Sequence, residues 1–387
     1  MNVALFNNII FIISVSIPAL TIILYAAILA YYGSKRGEYE ANISVMDDYP
    51  NITILIPSYN EEKIIEKRLQ NILNYDYPLE KMRVVFIDES TDTTPGIIQK
   101  YVDSYKNIEL LHMNQRMGYS KAVFTGLSRV DTGIVVLNEA GSFPLPKTLK
   151  NQIHILQNPK IGAVTGHSKL LNQNENIGNI EALYLRFLEY IRIAESRMDT
   201  TIFIKGEATA YKTSLVKDIE AMEDTGSIDT SMAFMVRKKG YKTVYSPDVI
   251  FEEYAPSDAH GFRKQKMIRA ANIMRNLLIF KEMLLNPKYG KFGLISMPFY
   301  LSTFFITPLL LPVAMISMII GLFTNVVYYR YIFAFACIVL ILLLISGRNI
   351  LELFIELEIS MVKAMYQIFI KKKGHDKIER VESTRRI

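Results

Sequence analysis

Three stretches of this chain carry no charged side chain: Met1 to Ser34, Phe292 to Tyr329, and Tyr331 to Gly347. A bilayer-spanning helix needs about 20 mostly apolar residues. The first stretch predicts one span near Ile9–Tyr32. The other two predict a pair, near Pro298–Leu322 and Val326–Gly347, turning at Thr324-Asn325. Pro298, Pro308 and Pro312 fit such a setting, where neighbouring helices satisfy the backbone groups that a proline frees. A cleavable signal peptide is the competing reading of the N-terminus. It lacks a basic n-region, since the first lysine is Lys35.

Between about Pro50 and Pro256 the pattern becomes strand, helix, strand. The apolar run Ile52 to Ile56 stops at Pro57, as a strand buried on both faces would. Ile64, Ile65, Leu69 and Leu73 give helical spacing over Glu61–Leu73. Strands are predicted at Arg83–Ile87, Glu109–His112 and Gly133–Leu137, with helices at Thr91–Lys106 and Lys121–Arg129 between them. This alternation predicts an α/β domain with a mostly parallel sheet. Ligands of such sheets sit beyond the carboxyl ends of the strands. Pro57–Glu61, Asp88–Asp92 and Asn138–Ser142 therefore share one polar, acidic rim.

Charge adds an orientation. Lys35 and Arg36 follow the first span at once, Lys281, Lys288 and Lys291 precede the second, and Arg348 with Lys371-Lys372-Lys373 follow the third. Basic residues favour the cytoplasmic side. The N-terminus is then outside, and the middle region and tail are cytoplasmic. The net charge of +6 sits beside the apolar segments, which points to lipid headgroups and phosphates and away from nucleic acid. The single cysteine, Cys337, excludes a disulfide within the chain.

Four motifs stand in order at the ends of the strands: IPSYNEE (Ile56–Glu62), VVFIDESTDTT (Val84–Thr94), GYSKAVFTGL (Gly118–Leu127) and TGIVVLNEAGS (Thr132–Ser142). Ile228-Asp229 follows, then Gly240-Tyr241 eleven residues after the aspartate, then Pro247-Asp248. This ordered set, about 200 residues long, resembles the GT-A domain of membrane-bound family 2 glycosyltransferases. It resembles lipid and polyprenyl-phosphate transferases and, more distantly, hyaluronan and cellulose synthase-like enzymes. The resemblance implies a Rossmann-like GT-A domain on the cytoplasmic side, with transmembrane helices at both ends and amphipathic helices at the interface.

It also implies a nucleotide-sugar donor, UDP- or GDP-linked, held by Pro57, Tyr59, Glu61, Asp88, Lys121 and Glu139. An aromatic ring can stack on a base, and carboxylates accept from its N–H groups and ribose hydroxyls. The bland alternatives are helix caps at Asn60, Ser90 and Asp92 and a solvated Lys121. Where the family has Asp-x-Asp, this chain has Glu139-Ala140-Gly141. That motif helps hold a divalent cation, Mg2+ or Mn2+, against the diphosphate. With Gly141 in second place, three outcomes stay open: Glu139 holds the metal with phosphate oxygens and water, the enzyme works without a tight metal, or catalysis is lost.

Asp229 matches the family's general base, with Glu223-Asp224 as the rival assignment. Lys264-Gln265-Lys266-Met-Ile-Arg269 resembles a degraded Gln-x-x-Arg-Trp motif, one residue too long and without its tryptophan. Gln265 and Arg269 are thereby acceptor-side candidates, and the degradation argues against processive synthesis. The same segment reads as a basic interfacial helix, with Arg263, Lys264, Lys266, Arg269 and Arg275 set against Phe262, Met267, Ile268, Met274 and Leu278. Asn349–Lys373 predicts a second interfacial helix or an oligomerisation helix. The five histidines show no metal-ligand spacing.

The expected organisation is a transmembrane helix over 1–34, the GT-A domain over 35–257, basic interfacial helices over 258–291, two transmembrane helices over 292–348, and an interfacial helix with a charged tail over 349–387. The leading function is inverting transfer of one sugar to a membrane lipid, a polyprenyl phosphate or a glycolipid headgroup. A processive polysaccharide synthase and an inactive membrane scaffold are the alternatives. The sequence does not give the oligomeric state.

Overall fold

The apolar runs of the middle region serve two cores at once, because successive strand residues point to opposite faces. In the computed structural model, Ile54, Ile56, Val84, Phe86 and Val136 enter one core, while Leu55, Val85, Ile87, Val135 and Leu137 enter the other. Ile65, Leu69 and Ile72 of the helix Ile65–Leu73 close over the first face. Ala122, Val123 and Leu127 of the helix Tyr119–Leu127 close over the second. That helix lies tight on the sheet: a Cβ on Gly126 would stand 2.9 Å from the Ile87 Cδ1.

The structure describes residues 3–37, 48–171, 176–221, 227–254, 259–324, 327–346 and 348–370. Eight strands form one sheet: β1 (Ile52–Ser58), β2 (Met82–Asp88), β3 (Ile108–His112), β4 (Ile134–Asn138), β5 (Phe143–Pro144), β6 (Ile161–Leu170), β7 (Ala208–Lys212) and β8 (Lys242–Glu253). Their order is β3-β2-β1-β4-β7-β6-β8-β5. The first four strands pair in parallel, as expected. The expectation of a mostly parallel sheet holds, with β1, β2, β3, β4, β6 and β8 running one way, while β7 runs antiparallel to both β4 and β6, and β5 antiparallel to β8. After β6 the chain passes through the long helix Asn176–Met198 and re-enters the sheet beside β4 from the opposite end. The sheet is mixed.

The chain divides into two compact units, Met1–Tyr31 with Ala259–Lys373 and, separately, the sheet-bearing unit that begins at Tyr32 and runs to Asp258. The first unit is helical. Its helices Val3–Gly33 and Phe292–Phe323 are long and apolar enough to cross a membrane, and only 22% and 28% of their most apolar windows are buried, unlike the core helices of a soluble domain. The second contains π-helical turns at Phe292–Ser296 and Ser302–Ile306, beside Pro298 and Pro308. A third apolar helix begins at Val327. Polar contacts tie the three together: the Asn7 amide donates to the Ser317 carbonyl at 2.9 Å and to the Tyr329 hydroxyl at 3.1 Å. The Tyr25 ring stacks on Phe299 at 3.6 Å.

The helix Ala259–Ile279 departs from the expected interfacial pattern. Lys266, Asn272 and Asn276 are buried while Leu278 and Ile279 are exposed. The cause is packing against the helix Arg348–Met365: Ala270, Ala271 and Met274 meet Met361 and Ala364, and Arg263 pairs with Glu356 at 2.7 Å. Phe354, Ile355, Ile359 and Val362 of that second helix remain exposed.

Candidate functional site

The parallel register of the first three strands lines up their last residues. Ser58 of β1 stands opposite Asp88 of β2, and Asp88 opposite His112 of β3. Asp88 is fully buried and collects donors from both sides. The Ser58 and Ser90 hydroxyls each donate to its Oδ1 at 2.7 Å. The Ser90 N–H and the His112 Nδ1 lie 3.2 and 3.0 Å from its Oδ2. With Asp88 as the common acceptor of these contacts, the proton shared with His112 is assigned to Nδ1. Asp88 therefore binds the ends of three strands together.

Neighbouring acids also serve the loops. The Thr93 hydroxyl donates to Glu62 at 2.8 Å, and the Thr94 N–H donates to Asp92 at 2.9 Å. Glu89 accepts from the Met117 and Gly118 N–H groups at 3.1 and 3.0 Å, which fixes the entry to the helix Tyr119–Leu127. Gly118 has φ +94°, a conformation that favours glycine at this turn.

These loops enclose a cleft at the strand ends. Pro57, Ser58, Tyr59, Glu89, Gly118 and Tyr119 form one part. A more open part of about 490 Å³ adds Thr91, Asp92, His112, Asn114 and Gln115, and Arg116 borders both. The Arg116 guanidinium lies 4.1 Å from the Tyr59 ring centre, a cation–π pairing that fixes the ring. Of the expected donor residues, Pro57 and Tyr59 face this cleft and Asp88 lies behind it. Glu61 is buried outside the lining, its N–H on the Thr94 hydroxyl at 2.9 Å. Lys121 is exposed and also outside the lining.

Beyond β4 the furnishing changes. Arg68, fully buried, donates to Asn138 at 2.8 Å and to the Tyr75 hydroxyl at 2.9 Å. Burial raises the Tyr75 pKa, and the Arg68 charge opposes that rise. Asn138 and Ser142 both donate to the Glu207 carbonyl, at 3.2 and 2.6 Å, which joins the turn after β4 to the loop before β7. Glu139 is partly exposed in that turn. Among the described residues no three His, Cys, Asp or Glu side chains stand together as metal ligands. Packing does not impose glycine at 141, since a Cβ there would meet only Ile64, at 3.7 Å. One carboxylate completed by phosphate oxygens and water is nevertheless a ligand set that a magnesium-type ion accepts.

Asp229 lies in the first turn of the helix Ile228–Lys238. Ser227 occupies the N-cap, yet its hydroxyl donates to the Asp229 Oδ1 and caps no backbone N–H. The other oxygen faces Gly206: a Cβ there would stand 3.5 Å from Asp229 Oδ2 and 2.9 Å from the Tyr119 hydroxyl. Gly206 thus lets the cleft wall at Tyr119 approach the carboxylate. Tyr211 lies close by, its pKa raised first by burial and then by the Asp229 charge. Glu223-Asp224 lies outside the described residues. Gln265 and Arg269 belong to the helical unit, where the Gln265 Oε1 is buried without a hydrogen-bond partner among the described residues.

Sequence reading missed His112, Arg116, Tyr119 and Ser227. No spacing along the chain marks His112, which reaches Asp88 because β2 and β3, paired in parallel, end level with each other.

Residues 50–271 match the family described as glycosyltransferase like family 2. A poly-beta-1,6-N-acetyl-D-glucosamine synthase of Staphylococcus aureus is 26% identical over 246 residues, which cover 61% of this chain and 58% of the synthase. The match therefore spans little more than half of that relative's length. A dolichyl N-acetyl-alpha-D-glucosaminyl phosphate 3-beta-D-2,3-diacetamido-2,3-dideoxy-beta-D-glucuronosyltransferase of Methanococcus voltae is 27% identical over 229 residues, 55% of this chain and 70% of that protein. A mannosyltransferase of Pyrobaculum calidifontis, solved with GDP-Man and Mn2+, shares the fold: the TM-score is 0.74 at 23% identity, over 94% of this chain and 100% of that one.

Proposed function

The chain belongs to glycosyltransferase-like family 2, and on that premise we propose that it is an inverting transferase moving a sugar from a UDP- or GDP-linked donor to a membrane lipid. The donor lies in the cleft with its base against Tyr59, and Asp229 acts from the acceptor side. The carrying observation is that Asp229 and the cleft residue Tyr119 both border Gly206, at 3.5 and 2.9 Å from where a Cβ on it would lie. An acceptor hydroxyl there gives its proton to Asp229 while its oxygen bonds the anomeric carbon. The bond from that carbon to the diphosphate breaks, and the nucleoside diphosphate leaves with the electron pair. A divalent cation, Mg2+ or Mn2+, would be held by Glu139 with the donor's phosphate oxygens, and when bound it neutralises charge on the diphosphate.

The lipid acceptor, a polyprenyl phosphate or a glycolipid, follows from the apolar helices with their exposed flanks. In this reading the protein crosses the membrane more than once, the sheet-bearing unit is cytoplasmic, and Gln265 and Arg269 act on the acceptor side. The domain boundaries given from the sequence belong to the same proposal. Likeness to a polymer synthase favours processive synthesis as the second reading. The full-length protein, incubated with a panel of nucleotide sugars and lipid extract, tests both. One sugar added to a lipid, read by mass, supports the proposal. Long polymer without intermediate lengths favours the synthase, and no transfer to any acceptor overturns both.

A further inference from the structure

An aspartate on the donor cleft is expected to take an N–H from the nucleotide base directly. Asp88 is not placed to do so. It is fully buried, and four donors from Ser58, Ser90 and His112 fill its two oxygens. Ser90 and His112 both bond Asp88 and line the open part of the cleft, and His112 brings a ring with its side chain 41% exposed. In the tautomer that donates from Nδ1 to Asp88, Nε2 is left as a lone-pair acceptor. Nε2 has no hydrogen-bond partner among the described residues.

We propose that His112 reads the donor base, accepting a ring N–H through Nε2, with Asp88 as the positioning residue that sets its tautomer. This inference rests on the cleft being the donor site. The face it completes has a stacking ring in Tyr59, backed by Arg116, and an acceptor in His112 along the same wall. A lone acceptor selects a base with a ring N–H beside a carbonyl, which uracil and guanine carry. Adenine and cytosine present a bare ring nitrogen at the matching edge and meet His112 lone pair to lone pair. The arrangement gives the ligand class, a uridine or guanosine diphosphate sugar, from side chains other than the carboxylates.

Calorimetry on the full-length protein tests this with UDP, 3-methyl-UDP, GDP, 1-methyl-GDP, ADP and CDP. Wild type should bind UDP or GDP at least tenfold more tightly than the N-methylated form of the same nucleotide and than ADP or CDP. In His112→Asn the side-chain amide replaces the Nδ1 donor to Asp88 but supplies no Nε2. It should fold with an unchanged melting temperature and bind the N–H and N-methyl forms alike, the signature of a removed pairwise interaction. His112→Ala should lose the same preference. A preference kept in folded His112→Asn, or tighter binding of ADP or CDP by wild type, overturns the assignment to His112 alone. Absence of binding by any nucleotide overturns the donor cleft itself.

Discussion

The two sides of the candidate site use their carboxylates differently. On the donor side, Glu62, Asp88, Glu89 and Asp92 all accept hydrogen bonds from loop or strand groups. Beside the helix Ile228–Lys238, Asp229 takes one bond among the described residues, from Ser227, and turns its second oxygen toward Gly206. A carboxylate whose lone pairs are filled by the protein shapes a cleft, and one with an oxygen left over can take a proton. The proposed function accordingly assigns donor recognition to an aromatic ring, a guanidinium and an imidazole, and the reactive acid to the acceptor side.

The largest expected effect breaks the acceptor side. Asp229→Asn keeps the shape and removes the proton acceptor, so turnover with a hydroxyl acceptor should fall about 10²–10⁴-fold. Donor affinity should stay within about twofold. Steady-state kinetics beside nucleotide binding separate the two effects, and near-normal turnover would move the role to Glu223 or Asp224. Ser227→Ala should lower kcat by a smaller factor with the donor KM unchanged, and Ser227→Thr, which keeps the hydroxyl, should restore it.

On the donor side, Arg116→Ala should weaken nucleotide binding by about tenfold, the upper range of a partly desolvated cation–π contact. Lys121→Ala should change it less than twofold, because Lys121 is exposed and outside the cleft lining. Calorimetry on both variants gives the contrast, and equal losses would erase it. Between the two sides, Gly141→Asp has room for its Cβ. It should make nucleotide binding several-fold tighter in Mn2+ and more sensitive to chelator. No change in metal dependence would place the cation away from Glu139.

The smallest effect lies away from the cleft. A hydrogen bond from His167, its largest cause, holds the Glu189 pKa below the usual carboxylate value. A depressed folded-state pKa contributes stability above the unfolded value, and this is lost as pH falls through the folded one. Glu189→Gln should therefore lower the melting temperature slightly at neutral pH, by a difference that closes below about pH 4. The Glu189 side chain is partly exposed, at 24%, so solvent screens the pair and the expected difference is slight. A difference that persists in acid would assign its role to packing.

β1, β2 and β4 were legible because they are buried on both faces and read as apolar runs, whereas the edge strand β3, with only Ile108 buried, was placed by the alternation of elements. The later strands were not: β6 and β8 mix His167, Lys169, Asp248 and Glu252 into their pattern, and β7 is only five residues long. The site divides in the same way. Pro57, Tyr59 and Asp229 stand out in the sequence because local motifs carry them. His112 does not, because its role arises from a pairing across strands and not from spacing along the chain. Lys266 reads as surface on a helical wheel, yet the folded chain buries it.

The central claim is a single direct displacement with Asp229 as base, and the anomeric configuration of the product tests it most directly. Once the donor is known, proton NMR of the transferred sugar gives the coupling constant at its anomeric carbon. A product inverted relative to the donor is the expected result, since one displacement turns the centre over once. Retained configuration would require a second displacement or a same-face attack, and would contradict the account.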